Sequence, residues 1–267
     1  MVDVRVTDGS RRITRAFDFM AYFMKAFLLA AVVAISLPGT DLHAGKAHGQ
    51  PGAPLVAEVL DTEIRTSDPE EMQYVILGKL TDQYAATNQI AVQQDEIDAY
   101  VASMDRIAEQ DRKEREARRS EIAGKLASQT LTSAERESLS SELATLNELD
   151  VMLGGSGEKS ADDQAAQREI GAAVVRQWKI NQALYRQYGG RVIFQQGGPE
   201  PLDAYRQCLE EQQGKGAFSI LDRTFAPAFW RYFKNDSIHS FYPSGSVEEA
   251  RALETPWWLM ENPDGAQ

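Results

Sequence analysis

The stretch Asp111 to Glu121, DRKEREARRSE, constrains this chain more than any other, because it has no large apolar residue and yet suits only a helix. Its residues are strong helix formers, and opposite charges recur at four-residue spacing, where helical side chains meet. An apolar face precedes it on the helix that DEIDAYV opens, with Ile97, Tyr100, Val101, Met104 and Ile107 at helical intervals. That face returns only at Ile122 and Leu126. A helix that loses its apolar face midway leaves the globule and runs through solvent. The density of Arg112, Lys113, Arg115, Arg118 and Arg119 also admits a basic binding strip, but Asp111, Glu114, Glu116 and Glu121 interleave with them. After a turn at Ser128 to Leu131, Thr132 and Glu135 have capping-box spacing. Leu139, Leu143, Leu146 and Leu149 then line a returning helix. The expectation is an antiparallel helical hairpin over residues 98–152 that projects from a helical body.

The rest of the chain reads as mainly α-helical. Gly45 to Pro54 is a Gly/Pro-rich leader without a pattern, and Leu55 to Ile64 (LVAEVLDTEI) has the alternation of one short strand. Ser67 or Asp68 with Pro69 starts a helix whose apolar side carries Met72, Val75, Ile76, Leu80 and Tyr84, and Asn88 ends it. Gly154-Gly155-Ser156-Gly157 is a break, with Ser160 and Asp163 as the next cap. The helix from Ala161 to Tyr188 is expected to bury Ile170, Val174, Trp178, Leu184 or Tyr185, and Tyr188, and Gly189 supplies its left-handed end. Arg191 to Gln196 (RVIFQQ) is a second short strand. Beyond it, eleven aromatic residues crowd between Tyr205 and Trp258, and Ser246 with Glu249 gives a last capping box.

The N-terminus addresses the chain for export. Ala26 to Leu37 is an uncharged apolar run behind Lys25, with Pro38-Gly39 and the small residue Ala44 at its exit. Those are the parts of a secretory signal, and the run is shorter than the roughly 20 residues that span a bilayer. Residues 1–44 are therefore expected to be a cleaved signal peptide, with Met24 an alternative start; the membrane is involved only if the signal stays uncleaved. A net charge of −12 argues against nucleic acid, since phosphate binding needs clustered cations. One cysteine excludes a disulfide framework and suits a bacterial periplasm, and Cys208 reads as a buried, inert thiol.

No pattern specific to an enzyme emerges. Of the three histidines, His43 falls in the signal and His48 in the leader, which leaves His239 beside aromatics as a structural hydrogen-bonder. The Gly-Gly pairs have neither phosphate-cradling nor dinucleotide spacing, and the adjacent acidic pairs lie near helix ends, where the helix dipole favours them. No cofactor and no metal are expected. The aromatic C-terminal region is first of all core, with any exposed remainder suited to apolar peptide segments.

The sequence LVAEVLDTEI, followed by EMQYVILGKLTDQYAATNQIAVQQDEIDAYVASM, resembles the N-terminal peptide-binding module of SurA-type periplasmic chaperones and the related parvulin-linked foldases. The step Ala85-Ala86-Thr87-Asn88-Gln89-Ile90 and the acidic start Asp95-Glu96-Ile97 carry the resemblance, which covers about residues 55–107. Two features depart from that family. Leu60-Asp61-Thr62 replaces its usual Asn-Gly turn, and the isomerase domain's Gly-Gly-Asp-Leu-Gly turn and paired histidines are missing. The resemblance implies a helical module closed by a strand pair, which LVAEV and RVIFQQ would supply. It also implies clefts that hold unfolded outer-membrane polypeptides, with Tyr74, Leu77, Tyr84, Trp178, Tyr185 and Tyr188 as counterparts; Phe229 and Trp230 join them from the aromatic region.

The expectation is thus a mainly α, SurA-N-like domain over residues 55–196 with a small two-stranded β element, and an aromatic-rich segment, 197–267, packing on it. The expected role is a periplasmic holdase without covalent chemistry. The alternatives are a structural or assembly protein that docks a partner through its charged hairpin, as a homodimer, or a divergent peptidyl-prolyl isomerase.

Overall fold

The computed structural model describes residues 48–49, 52–128, 130–153, 159–195 and 197–260. The signal segment, the Gly154–Gly157 break and Gln196 lie outside them. The described chain is mainly helical with a small sheet. Its strands are β1 (His48–Gly49), β2 (Leu55–Val59), β3 (Thr62–Arg65) and β4 (Phe218–Ile220). Its α-helices are α1 (Pro69–Thr87), α2 (Gln94–Leu126), α3 (Ser133–Met152), α4 (Ala161–Tyr188), α5 (Leu202–Gly214), α6 (Ala226–Lys234) and α7 (Val247–Arg251). They divide into two compact units, one of residues 94–171 and one of the segments on either side.

In the flanking unit, the sheet runs in the order β1-β3-β2-β4, with β2 antiparallel to both neighbours and β1 parallel to β3. This corrects two expectations. LVAEVLDTEI is a hairpin, not one strand: Val59 pairs with Thr62 across Leu60 and Asp61, whose φ angles of 45° and 59° are those of a primed turn. Leu60 tolerates this conformation because its side chain packs on the core and its N–H donates to the Ala217 carbonyl at 2.9 Å. RVIFQQ does not pair with LVAEV; the other partner of β2 is β4, and Ile193 makes only isolated bridges, to Glu200 and Phe241. The patternless leader also contributes, because His48 and Gly49 pair with Ile64 and Arg65.

The core of this unit joins the sheet to α1, α4, α5 and α6. Val56, Val59, Ile64, Met72 and Ile76 meet Ile180, Leu184, Leu202, Phe218, Phe229 and Phe233, all essentially inaccessible. Asp68 caps α1 by accepting from the Glu70 N–H, and Pro69 fills its first turn, as the sequence indicates. On α4 the fully buried positions are Val175, Ile180 and Leu184, whereas Val174, Trp178 and Tyr188 are half-buried.

The unit of residues 94–171 contains α2, α3 and the first turns of α4. Thr132 and Glu135 form the reciprocal capping box at the start of α3, and Ser160 and Asp163 do the same before α4. Tyr100, Ile122, Leu146 and Leu149 are its buried apolar side chains. The charged stretch does more than face solvent. Arg118 holds Glu142 of α3 through two nitrogens at 2.7 and 2.9 Å, and Arg115 and Arg119 both reach Asp150.

Candidate binding cleft

An open cleft of about 620 Å³ lies between the C-terminal end of α1 and one face of α4. Its first wall is Tyr84, Asn88, Gln89, Ile90, Ala91 and Gln93; its second is Lys179, Gln182, Ala183, Arg186 and Gln187. The second wall follows from helical spacing, since steps of three and four keep side chains on one face. The first wall follows from how α1 stops. The Gln89 N–H bonds to the Ala86 carbonyl at 3.2 Å and the Ile90 N–H to the Ala85 carbonyl at 2.9 Å, the paired bonds of a Schellman turn. That turn puts Gln89 at φ 55°, a conformation that glycine adopts more easily. A long amide side chain thus stands at the cleft where a bare turn would be less strained, and such outliers gather at functional sites.

Five of the cleft residues carry side-chain amides, and no Asp or Glu lines it. The amides are partly organised. Tyr84 donates its hydroxyl to Gln187 Oε1 at 2.8 Å, Asn88 Nδ2 caps the Tyr84 carbonyl at 2.8 Å, and Gln182 Nε2 holds the Leu253 carbonyl at 2.8 Å. Lys179 Nζ donates to the Ala91 carbonyl at 2.6 Å and so ties the turn to α4. Burial raises the Tyr84 phenol above its ordinary value, which keeps it a donor at neutral pH.

Among the peptide-binding candidates from the sequence, only Tyr84 lines this cleft. Phe229 is fully buried, and Tyr74, Leu77, Tyr188 and Trp230 pack against the same core. Leu77 and Tyr84 border a second space beside Cys208, but it holds only about 20 Å³, room for a single water. Tyr185 packs on the separate cluster of Val192, Ala252 and Leu253. Trp178 stands edge-on to Trp258 at 5.9 Å, its buried indole nitrogen without a hydrogen-bond partner among the described residues. The aromatic crowd is therefore mostly core: Phe218, Phe229, Trp230, Tyr232 and Phe233 form one chain of ring contacts. The sequence reading missed the amides of the cleft, because amides at helical spacing look like any solvated face.

A part-buried polar cluster lies elsewhere in this unit. Glu200 accepts from Tyr232 Oη and from Gln195 Nε2, each at 2.8 Å, and no cation pairs with it among the described residues. Burial pushes its carboxyl up to about 7, against the lowering effect of those two hydrogen bonds. The preceding residue is pinned as well, since Asn181 Nδ2 donates to the Pro199 carbonyl and Asn181 Oδ1 accepts from buried Tyr205. His239 meets the Tyr232 carbonyl at 2.6 Å, the structural contact expected of it. Cys208 is buried, and that burial raises its thiol above the ordinary value. No group of His, Cys, Asp or Glu among the described residues could hold a metal ion, and no helix among them is long and apolar enough to cross a membrane.

No known protein family, curated protein or solved structure matches this chain.

Proposed function

We propose that the protein holds extended segments of unfolded polypeptides in the periplasm, as a SurA-N-like module without an isomerase domain. The observation that carries this reading is the cleft between α1 and α4, where side-chain amides surround Tyr84 and Ile90. An extended peptide exposes unpaired N–H and C=O groups along both edges. Amide side chains offer donors and acceptors to both, while a tyrosine ring and an isoleucine take an apolar side chain. The hold is exerted by amides more than by aromatic stacking, because the aromatic side chains are engaged in the core. The apolar run behind Lys25 supplies the route to the compartment where such clients occur.

Fluorescence anisotropy of a labelled, urea-unfolded outer-membrane polypeptide tests this reading, with a folded protein of similar charge as control. Saturable binding near micromolar, about −8 kcal/mol, is expected for the unfolded chain only. Tyr84→Ala and Gln187→Ala are expected to weaken it, and Trp230→Leu to leave it unchanged. Equal binding of the folded control, or no binding at all, sinks the reading.

The assembly-protein alternative is favoured by a separate observation in the unit of residues 94–171. Val151 and Met152, at the end of α3, are 81% and 69% exposed. Adjacent exposed apolar residues on an otherwise charged hairpin suit a partner surface. Co-purification of one stoichiometric partner, lost in Val151→Ser/Met152→Ser, would move the weight to that reading.

A further inference from the structure

We infer that the cleft recognises the free C-terminal carboxylate of its polypeptide clients, with Arg186 and Gln187 as its receptors. This rests on the proposed peptide-binding role. Arg186 is exposed in the last turn of α4 and has no ion pair among the described residues, whereas Arg176, Arg191 and Arg206 in the same unit hold Asp82, Asp203 and Asp236, and Asp203 respectively. Arg223, Arg231 and Arg251 of that unit are likewise without an ion pair among the described residues, but of these four only Arg186 lines the cleft. The chain has 40 acidic residues against 28 basic ones, yet none of the acidic residues lines the cleft. A guanidinium kept clear of carboxylates within an acidic protein is complementary to a carboxylate brought by a ligand. Its planar fork suits two-point contact with the two oxygens. The end of α4 carries about half a negative charge from its dipole, so a full positive charge on Arg186 outweighs it locally.

Gln187 completes the receptor. The Tyr84 hydroxyl holds its Oε1, which leaves Nε2 to donate, and that nitrogen has no partner among the described residues. Tyr84 and Ile90 decide between a chain end and an acidic side chain within a segment. Both are partly buried and present apolar surface in the same cleft as Arg186. At a chain terminus, a carboxylate stands one bond from an α-carbon that carries a side chain. An apolar last residue therefore presents charge and apolar surface together. Stretches rich in Asp or Glu supply the charge without the apolar partner.

The test uses the purified protein and three short unstructured peptides with the same apolar last residue: the free acid, the C-terminal amide, and the amide with one internal Glu. Titration calorimetry is expected to show the free acid binding on the order of ten- to a hundredfold more tightly than either amide, the range for a hydrogen bond to a charged group. That preference should fall with added salt. Arg186→Gln, at an exposed position, should remove the preference, and Arg223→Gln, an exposed arginine outside the cleft, should leave it intact. Equal affinity for acid and amide overturns the carboxylate receptor while the peptide-binding role stands. An internal Glu that restores full affinity overturns the choice of the chain end. A preference that survives Arg186→Gln overturns its assignment to this residue. If none of the peptides binds, the receptor and the peptide-binding role fail together.

Discussion

In the unit that carries the sheet, helices are held by large apolar side chains: Phe229 touches Phe218, Trp230 and Phe233, and all of β2 except Leu55 and Glu58 is inaccessible. In the unit of residues 94–171, the described core is thin, and α2 and α3 are also joined by ions, with Arg118 on Glu142 and Arg115 and Arg119 on Asp150. Both solutions keep helices antiparallel or crossed at close range, but they respond to different variables. Apolar burial is indifferent to salt and sensitive to lost volume, while half-exposed ion pairs are weak and screened. The comparison teaches that a charged helix can be specified by its partner helix as well as by solvent. The same arginine that reads as surface on α2 is a positioned clamp once α3 returns.

The largest effect that would sharpen this contrast is Phe229→Ala, expected to cost about 3–5 kcal/mol as a buried aromatic truncation. Urea unfolding followed by amide exchange should show the sheet losing protection first, with α3 amides retained. Simultaneous loss of both would show a single cooperative unit and break the comparison.

Glu200→Gln comes next, and its sign depends on pH. The carboxyl is protonated up to about pH 7 in the folded chain and up to its ordinary 4.5 when unfolded. The stability this adds is complete below pH 4.5 and is lost as pH rises through 7. A neutral amide removes that loss, so the variant should gain up to about 3 kcal/mol over the parent at pH 8, relative to their difference at pH 4. Thermal melts at both pH values check it, and parallel curves for the two proteins would show that the carboxyl is not enclosed.

The smallest effect belongs to the hairpin. Glu142→Gln keeps an acceptor for Arg118 but removes its charge, and is expected to cost about 1 kcal/mol or less. Amide exchange should quicken over residues 133–152 and not over 55–59, and the difference from the parent should shrink in high salt. Equal acceleration in both segments would mean that the ion pairs support more than their own unit.

Much of the helical layout was legible from spacing and caps. Pro69, Thr132, Ser160 and Gly189 mark ends that the structure keeps, because capping depends on a few neighbouring residues. The hairpin at Leu60-Asp61 was not legible as a turn between paired strands, since leucine disfavours positive φ and only its contact with Ala217 and the core compensates. RVIFQQ has strand-like residues but does not pair with LVAEV, because β4, distant in sequence, occupies the second edge of β2. The cleft was legible only at Tyr84. Its remaining residues are polar, and polar residues at helical spacing say nothing about what stands opposite.

The sequence by itself determined the helical character, the helix ends and the acidic charge, because each follows from composition or from contacts between residues a few positions apart. Only the tertiary structure decided which strand lies beside β2, which aromatics are core and which arginines find carboxylates. Those outcomes turn on residues far apart in the chain, such as Val59 beside Phe218 and Tyr84 beside Gln187. A one-dimensional pattern records that a side chain can pair; folding alone settles with what.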